Sequence, residues 1–212
     1  MRLWTLISGT LMFCLLWFLG WETWAVIKAR SQTEAVFARF ADAAPRWDDL
    51  SSDWQATLIA VEDPKFMTHR GVDLFSAGAG PFTVTEMLSR TLYFERFTPG
   101  FAEIEQSLIA LLVIDPKVSK SDQATAFLHL ARFRDPAGQD ITGFPIAARE
   151  FFGKPLTELR YWEFVSLVAA VIAPDEMRPN TAANRMRVDR ILALMRGECA
   201  PVDRDDVWYK GC

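Results

Sequence analysis

The sequence predicts a mainly α-helical domain behind a single N-terminal transmembrane helix, and three features carry that prediction. Apolar residues recur at helical spacing through most of the chain, as in Trp54, Leu58 and Val61 at i, i+4 and i+7. No alternating strand pattern of useful length, internal repeat or low-complexity segment interrupts them. Leu3 to Trp21 carries no charge and approaches the roughly 20 apolar residues that cross a bilayer.

Taken in order, the chain divides into an anchor over 1–25, a juxtamembrane helix and linker over 26–52, a globular domain over 53–198 and a tail over 199–212. Trp4 at one end of the apolar run and Trp17, Trp21 and Trp24 at the other form interfacial belts. A cleaved signal peptide is the rival reading, but the run is long for one and no small-x-small site follows it closely. Charge leaves the orientation open, because Arg2 and the amino terminus face Lys28 and Arg30 across the span. Helical periodicity continues from Glu22 to Phe40, with Trp24, Ile27, Val36, Phe37 and Phe40 as its apolar members. That helix reads either as a stalk packed on the domain or as a device holding the domain at the lipid surface. Ala41 to Asp53, rich in Ala, Asp, Ser and Pro, reads as a linker, with Asp53 as N-cap of the next helix.

A net charge of −4 with no basic face argues against nucleic acid as a partner. The glycines at Gly78 and Gly80 follow no strand and lead to no P-loop lysine, so they form no nucleotide cradle. Glu62, Asp63, His69 and Asp73 lack a recognisable transition-metal ligand spacing.

The chemistry concentrates in Glu62 to Asp73, which reads Glu-Asp-Pro-Lys-Phe-Met-Thr-His-Arg-Gly-Val-Asp. Glu62 falls at the C-terminal edge of the buried stripe begun by Trp54, which half desolvates its carboxylate. Pro64 ends that helix and Gly71 marks a second break. The pattern resembles the first motif of the family 51 glycosyltransferases, the peptidoglycan polymerases found alone or as the N-terminal domain of bifunctional penicillin-binding proteins. Glu62, Asp63, Phe66, His69, Gly71 and Asp73 all stand at the motif's fixed positions. The resemblance implies a lysozyme-like helical fold and a short cytoplasmic tail. It also implies a domain on the periplasmic side of the bacterial inner membrane.

Agreement with later motifs is partial. Ser76 to Phe82 reads as a mobile loop, and Thr83 to Phe94 as a helix with Met87, Leu88, Thr91 and Leu92 on its buried face. Gly80, Thr83, Thr85, Leu88 and Leu92 match the second motif and Arg90 stands for its lysine, whereas Pro81, Phe82, Glu86, Met87 and Thr91 depart. The interval from Asp73 to Thr83 is also shorter than is usual in the family. Leu108 to Ile114 reads as a largely buried helix, and alignment puts Ser107 or Gln106 where the third motif has its second functional Glu. The motif's Arg-Lys pair is absent. Glu105 is rotated from that position by about 100° or 200° on a helix, so Glu103 and Glu105 read as solvated charges near a helix N-terminus. Ser119, Lys120 and Phe127 fit the fourth motif, while His129 replaces its Asn and reads as a partly buried histidine bonded to a neighbour. Gly143 to Pro174 is a further match, mostly structural, in which Gly153 ends one helix and Leu159, Phe164, Leu167, Val168 and Val171 line the next. Thr181 caps a last helix whose Val188, Ile191, Leu192 and Met195 point inward and whose Arg185, Arg187, Arg190 and Arg196 point outward, with Gly197 ending it.

By resemblance, Glu62 is the catalytic base, and Asp63, Phe66, His69, Thr83, Thr85, Arg90 and Lys120 bind a lipid-linked peptidoglycan precursor. Arg90 and Lys120 face its diphosphate, which a divalent cation, Mg or Mn, could also bind. Other cell-wall synthesis proteins are the implied partners. Three readings stand: a membrane-anchored peptidoglycan glycosyltransferase, a degenerate relative that binds lipid-linked glycan or a cell-wall partner, and a glycan-cleaving lysozyme-like enzyme, which would itself need a second carboxylate. Cys14 lies within the apolar span, which leaves Cys199 and Cys212 as disulfide partners in an oxidising compartment.

Overall fold

The computed structural model describes residues 2–212, with side chains from Ile7 onward, so Met1 and the side chain of Trp4 lie outside the described residues. Helix α1 (Arg2–Ala38) is 37 residues long and apolar enough to cross a membrane. At 1.5 Å per residue it extends about 55 Å, well beyond a hydrocarbon core of roughly 30 Å. Its C-terminal part accordingly runs along the domain, burying Ala25, Ala29 and Thr33. Phe18 meets Phe101 at 5.5 Å between ring centroids. This corrects the face expected from periodicity: Trp24 and Ile27 are 54% and 63% exposed. Small side chains let two helices approach closely, so the alanine face is buried and the bulky one left outside.

Ala41 to Asp53 is also not a free linker. Trp47 and Leu50 are buried, a short 3-10 turn spans Trp47–Asp49, and the Trp47 N–H donates to Thr125 Oγ1 at 3.0 Å. Ser51, rather than Asp53, is the residue at the N-cap of α2 (Ser52–Glu62). Trp54, Leu58 and Val61 form the buried stripe of α2, and Trp54 stacks on Phe164 at 4.3 Å. Phe164 belongs to α8 (Tyr161–Val171), whose residues from Glu163 to Ala170 are all buried. This is the central helix of the core. Helix α9 (Ala182–Met195), capped by Thr181, packs on it, and Asn184 bonds both the hydroxyl (2.6 Å) and the carbonyl (2.8 Å) of Ser166.

Between these elements lie α3 (Val84–Tyr93), α4 (Phe101–Ile109), α5 (Asp115–Lys117), α6 (Lys120–Leu130) and α7 (Phe144–Phe152). Helices α4 and α5 form one rod joined by a π-helical segment, Ala110–Ile114. That rod is less enclosed than its apolar run suggests, since Leu111 and Leu112 are exposed. A small antiparallel hairpin, β1 (Arg132–Arg134) and β2 (Asp140–Thr142), follows α6 with Phe133 opposite Ile141. A disulfide joins Cys199 to Cys212 across a Cα–Cα distance of 5.5 Å.

Gly71 couples the turn after α2 to the π segment. Its φ is +88°, and a Cβ there would lie 2.5 Å from the Ala110 carbonyl oxygen. Gly71→Ala is expected to lose roughly 3 kcal/mol, seen as a fall of about 6–12 °C in melting temperature. Gly138, with φ +83° and nothing within 4 Å of where a Cβ would lie, is the control. Gly138→Ala should lose only about 1 kcal/mol, and equal losses at the two sites would show that the contact with Ala110 is unimportant.

Candidate active site

The site begins with a carboxylate that has no route to water. Asp63 is 0% exposed at the C-cap of α2, and its oxygens accept the Val84 N–H at 2.9 Å and lie 2.8 and 3.0 Å from His69 Nε2. The Gly71 N–H donates to His69 Nδ1 at 2.9 Å. An imidazole nitrogen that accepts carries no proton, so Nε2 holds it and donates to Asp63. Thr83 Oγ1 donates in turn to the Gly71 carbonyl at 2.7 Å. The ring Asp63–His69–Gly71–Thr83–Val84 closes on itself and ties the first motif to the start of α3.

With Asp63 held inward, Glu62 on the same last turn faces a cavity of about 230 Å³, lined also by Gly80, Phe82, Met87, Arg187 and Val207. Among the described residues its carboxylate has no hydrogen-bond partner. Burial pushes its pKa from the ordinary 4.5 up to about 7, with the Arg187 cation opposing the rise and the Asp63 charge adding to it. Burial therefore outweighs the cation. Arg187 itself is 2% exposed, which corrects the outward direction expected for it. Arg187, Ile191 and Leu194 follow i, i+4, i+7 spacing on α9, the signal that could have placed it inside.

The other residues named from the sequence divide sharply. Phe66 is in the core, Thr85 is fully buried with its hydroxyl donating to Gln123 Oε1 at 2.8 Å, and Thr83 caps α3. Lys120 lies 2.7 Å from the Asp115 carboxylate and 4.6 Å over the Phe66 ring, so it is spoken for by core contacts rather than open to a diphosphate. Arg90 is exposed, rests 4.4 Å over the Phe97 ring and lines a cavity of about 410 Å³ with Arg132 and Arg134. That cavity shares Met87 and Val171 with the Glu62 cavity. His129 Nε2 lies 3.0 Å from the Pro45 carbonyl.

Of the two residues aligned with the second family acid, Gln106 is fully buried and Ser107 Oγ donates to Glu86 Oε1 at 2.6 Å, while Glu86 also accepts the Thr83 N–H at 2.9 Å. A carboxylate is present, but it comes from α3 and is buried as a helix cap. Glu105 faces α1 instead, in a small cavity with Trp24, Lys28 and Tyr93. A cavity of about 1,030 Å³ excludes Glu62; His69, Leu74, Phe75, Ile104, Ser107 and Leu111 line it beside Gly100 at the start of α4. The loop from Ser76 to Phe82 has no regular structure, yet Gly78, Ala79 and Gly80 are buried. Their cover is the tail: the Gly78 and Gly80 N–H groups donate to the Asp203 and Arg204 carbonyls at 2.8 and 2.9 Å. The expectation of a mobile loop is corrected by these long-range bonds.

The sequence profile described as Transglycosylase matches residues 32–196. The chain belongs to the transglycosylase family. Penicillin-binding protein 1B of Vibrio cholerae is 29% identical over 65% of this chain and 19% of its own length. A putative transglycosylase of Cupriavidus necator is 26% identical over 66% of this chain and 63% of its own. The biosynthetic peptidoglycan transglycosylase of Nitrosomonas eutropha is 25% identical over 54% of this chain and 51% of its own. The chain thus spans about a fifth of the first relative and between half and two thirds of the other two. The transglycosylase match includes Glu62, Asp63 and Arg187 and stops short of the disulfide-closed tail.

The raised Glu62 pKa has a consequence for stability in this transglycosylase. Because the folded value of about 7 exceeds the ordinary 4.5, the fold favours the protonated acid. The group's stabilising contribution is therefore full below pH 4.5 and is lost as pH rises through 7. Glu62→Gln removes this penalty. Thermal or denaturant unfolding should show the variant gaining on the wild type between those pH values, by on the order of 2–3 kcal/mol at pH 8. A difference that is constant with pH would mean that Glu62 is not desolvated.

Proposed function

We propose that the protein is a membrane-anchored peptidoglycan glycosyltransferase with Glu62 as general base. The observation that carries this reading is the half-buried Glu62 carboxylate at the cavity wall, which among the described residues has no hydrogen-bond partner and so is open to accept a proton; burial raises its pKa to about 7, which suits that role. The acceptor sugar's 4-hydroxyl attacks the anomeric carbon of a lipid-diphosphate-linked glycan. As the new C–O bond forms, Glu62 takes the hydroxyl proton, the bond to the diphosphate breaks, and configuration inverts. Arg90, exposed beside the Glu62 cavity, is the family-matched cation for the leaving diphosphate, with Arg132 and Arg134 lining the same hollow. Among the described residues there is no group of three or more His, Cys, Asp or Glu suited to a metal ion. A Mg or Mn ion would then be held chiefly by the diphosphate.

Helix α1 supports a single-pass anchor, and the exposed Leu74, Phe75 and Ile104, which line one cavity, with Phe101, which meets Phe18 of α1, offer apolar surface suited to the lipid surface or the substrate's lipid chain. The Cys199–Cys212 bond supports placing the domain on the periplasmic side of the membrane. A second reading, a relative that binds lipid-linked glycan without polymerising it, is favoured by Ser107 or Gln106 in place of the second acid and by acidic or apolar residues in place of the Arg-Lys pair.

Polymer formation from purified lipid-linked disaccharide-peptide separates the two. We expect the wild type to form glycan strands and Glu62→Gln to lose at least about 100-fold in rate while retaining precursor binding, the range assigned to a positioned general base. Glu105→Gln should remain near wild type, because Glu105 faces α1. Binding without polymer in the wild type, undiminished in Glu62→Gln, selects the second reading.

A further inference from the structure

The tail after residue 196 lies beyond the family match and forms no motif, yet it supplies part of the wall around Glu62. Tyr209 is 0% exposed, and its hydroxyl lies 3.1 and 3.4 Å from the Val61 and Ala60 carbonyl oxygens at the end of α2. Arg187 Nη1 donates to the Val207 carbonyl at 2.8 Å, and the guanidinium lies 5.3 and 5.5 Å from the Trp208 and Tyr209 ring centres. Its Nε is buried and, among the described residues, has no partner. A guanidinium shut away from water with a donor unspent requires an anion nearby, and the Glu62 carboxylate lines the same cavity.

The charges around the pair come from the end of α2, from α9 and from the tail. Asp63 follows Glu62 in the chain and is bound to His69. Arg190 lies along α9 and donates to the Trp208 carbonyl at 3.3 Å. Asp206 and Tyr209 approach from the tail. Arg187 is the cation acting on Glu62, and burial lowers its own pKa while the Glu62 charge opposes that fall.

We infer that Arg187 is a positioning residue for Glu62, holding a cation against the carboxylate in their shared cavity, and that the disulfide-closed tail is the clamp that fixes Arg187. The inference rests on the reading of Glu62 as the reacting carboxylate, but its geometry is independent of turnover. A merely structural arginine would be released by substitution without altering the titration of Glu62. A positioning arginine would alter it, and through the tail.

The test follows the Glu62 carboxyl by carbon NMR in the full chain, labelled at glutamate and held in detergent micelles, with Glu62→Gln assigning the signal. Arg187→Gln should raise the Glu62 midpoint by about one unit or more, since an opposite charge lining the same cavity is removed. Arg187→Lys, which keeps the charge, should raise it less. In a Cys199→Ser/Cys212→Ser background the shift caused by Arg187→Gln should shrink, because the clamp and the arginine act as one unit. An unchanged midpoint in folded Arg187→Gln overturns the positioning role, and an undiminished shift in the opened-tail background overturns the clamp. If Arg187→Gln does not fold, an unchanged midpoint in Arg187→Lys overturns the positioning role in its stead. Polymer assays run beside the titration keep the two ideas apart: a shifting midpoint in a chain that polymerises equally well as Glu62→Gln removes the base and leaves the positioning role standing.

Discussion

Everything around the site depends on satisfying the buried carboxylate of Asp63. A carboxyl group shut away from water needs hydrogen-bond partners, and the chain supplies two, the Val84 N–H and His69 Nε2. Each donor imposes a position. Val84 opens α3, so α3 must start against the end of α2. His69 must present its Nε2 edge, which the Gly71 N–H secures by occupying Nδ1. Gly71 must then adopt a left-handed backbone close to Ala110, where only glycine fits. One carboxylate thereby fixes the register of two helices and the π segment.

Glu62 benefits from its neighbour's rigidity. Successive helical residues are turned by about 100°, so a locked Asp63 leaves Glu62 a single direction, into the small cavity. There, burial and the adjacent Asp63 charge favour the neutral acid and Arg187 favours the carboxylate. Burial raises the pKa to about 7 while Arg187 opposes the rise, so the two influences act against each other on one group. Burial without the cation would leave an acid with little base character at neutral pH, and the cation without burial would leave a carboxylate too weakly basic to take a hydroxyl proton.

The helices and the motif were legible in the sequence because both are local. Trp54, Leu58 and Val61 declare their common face through spacing alone, and Glu62 to Asp73 carries its residues within one turn of chain. What escaped was decided across long sequence separations. Trp47 reads as one aromatic in a polar linker until Thr125 and the core are brought beside it. Lys120 reads as a free cation until Asp115, on the preceding turn of chain, neutralises it. Arg187 looks solvated by residue type, and only its phase with Ile191 and Leu194 argues otherwise. Helix α1 inverted the usual rule, since the lowest-volume face gave the closest packing while Trp24 and Ile27 stayed outside.

The short segment before α3 and the tail are two halves of one arrangement. A brief, glycine-rich connection has too little apolar side chain to hold itself down, and its N–H groups need acceptors wherever it is buried. The tail offers the Asp203 and Arg204 carbonyls to Gly78 and Gly80, while Pro201 and Val207 come so close that a Cβ on either glycine would lie within 3.0 Å of them. The disulfide keeps the ends of this tail together, limiting the entropy lost when its carbonyls and Tyr209 are placed. The bond also restricts where such an arrangement persists, because a reducing cytosol would open it. The same covalent link that holds the loop against Glu62 thus supports the side of the membrane on which the proposed chemistry takes place, and it does so through residues beyond the span matched by the transglycosylase family.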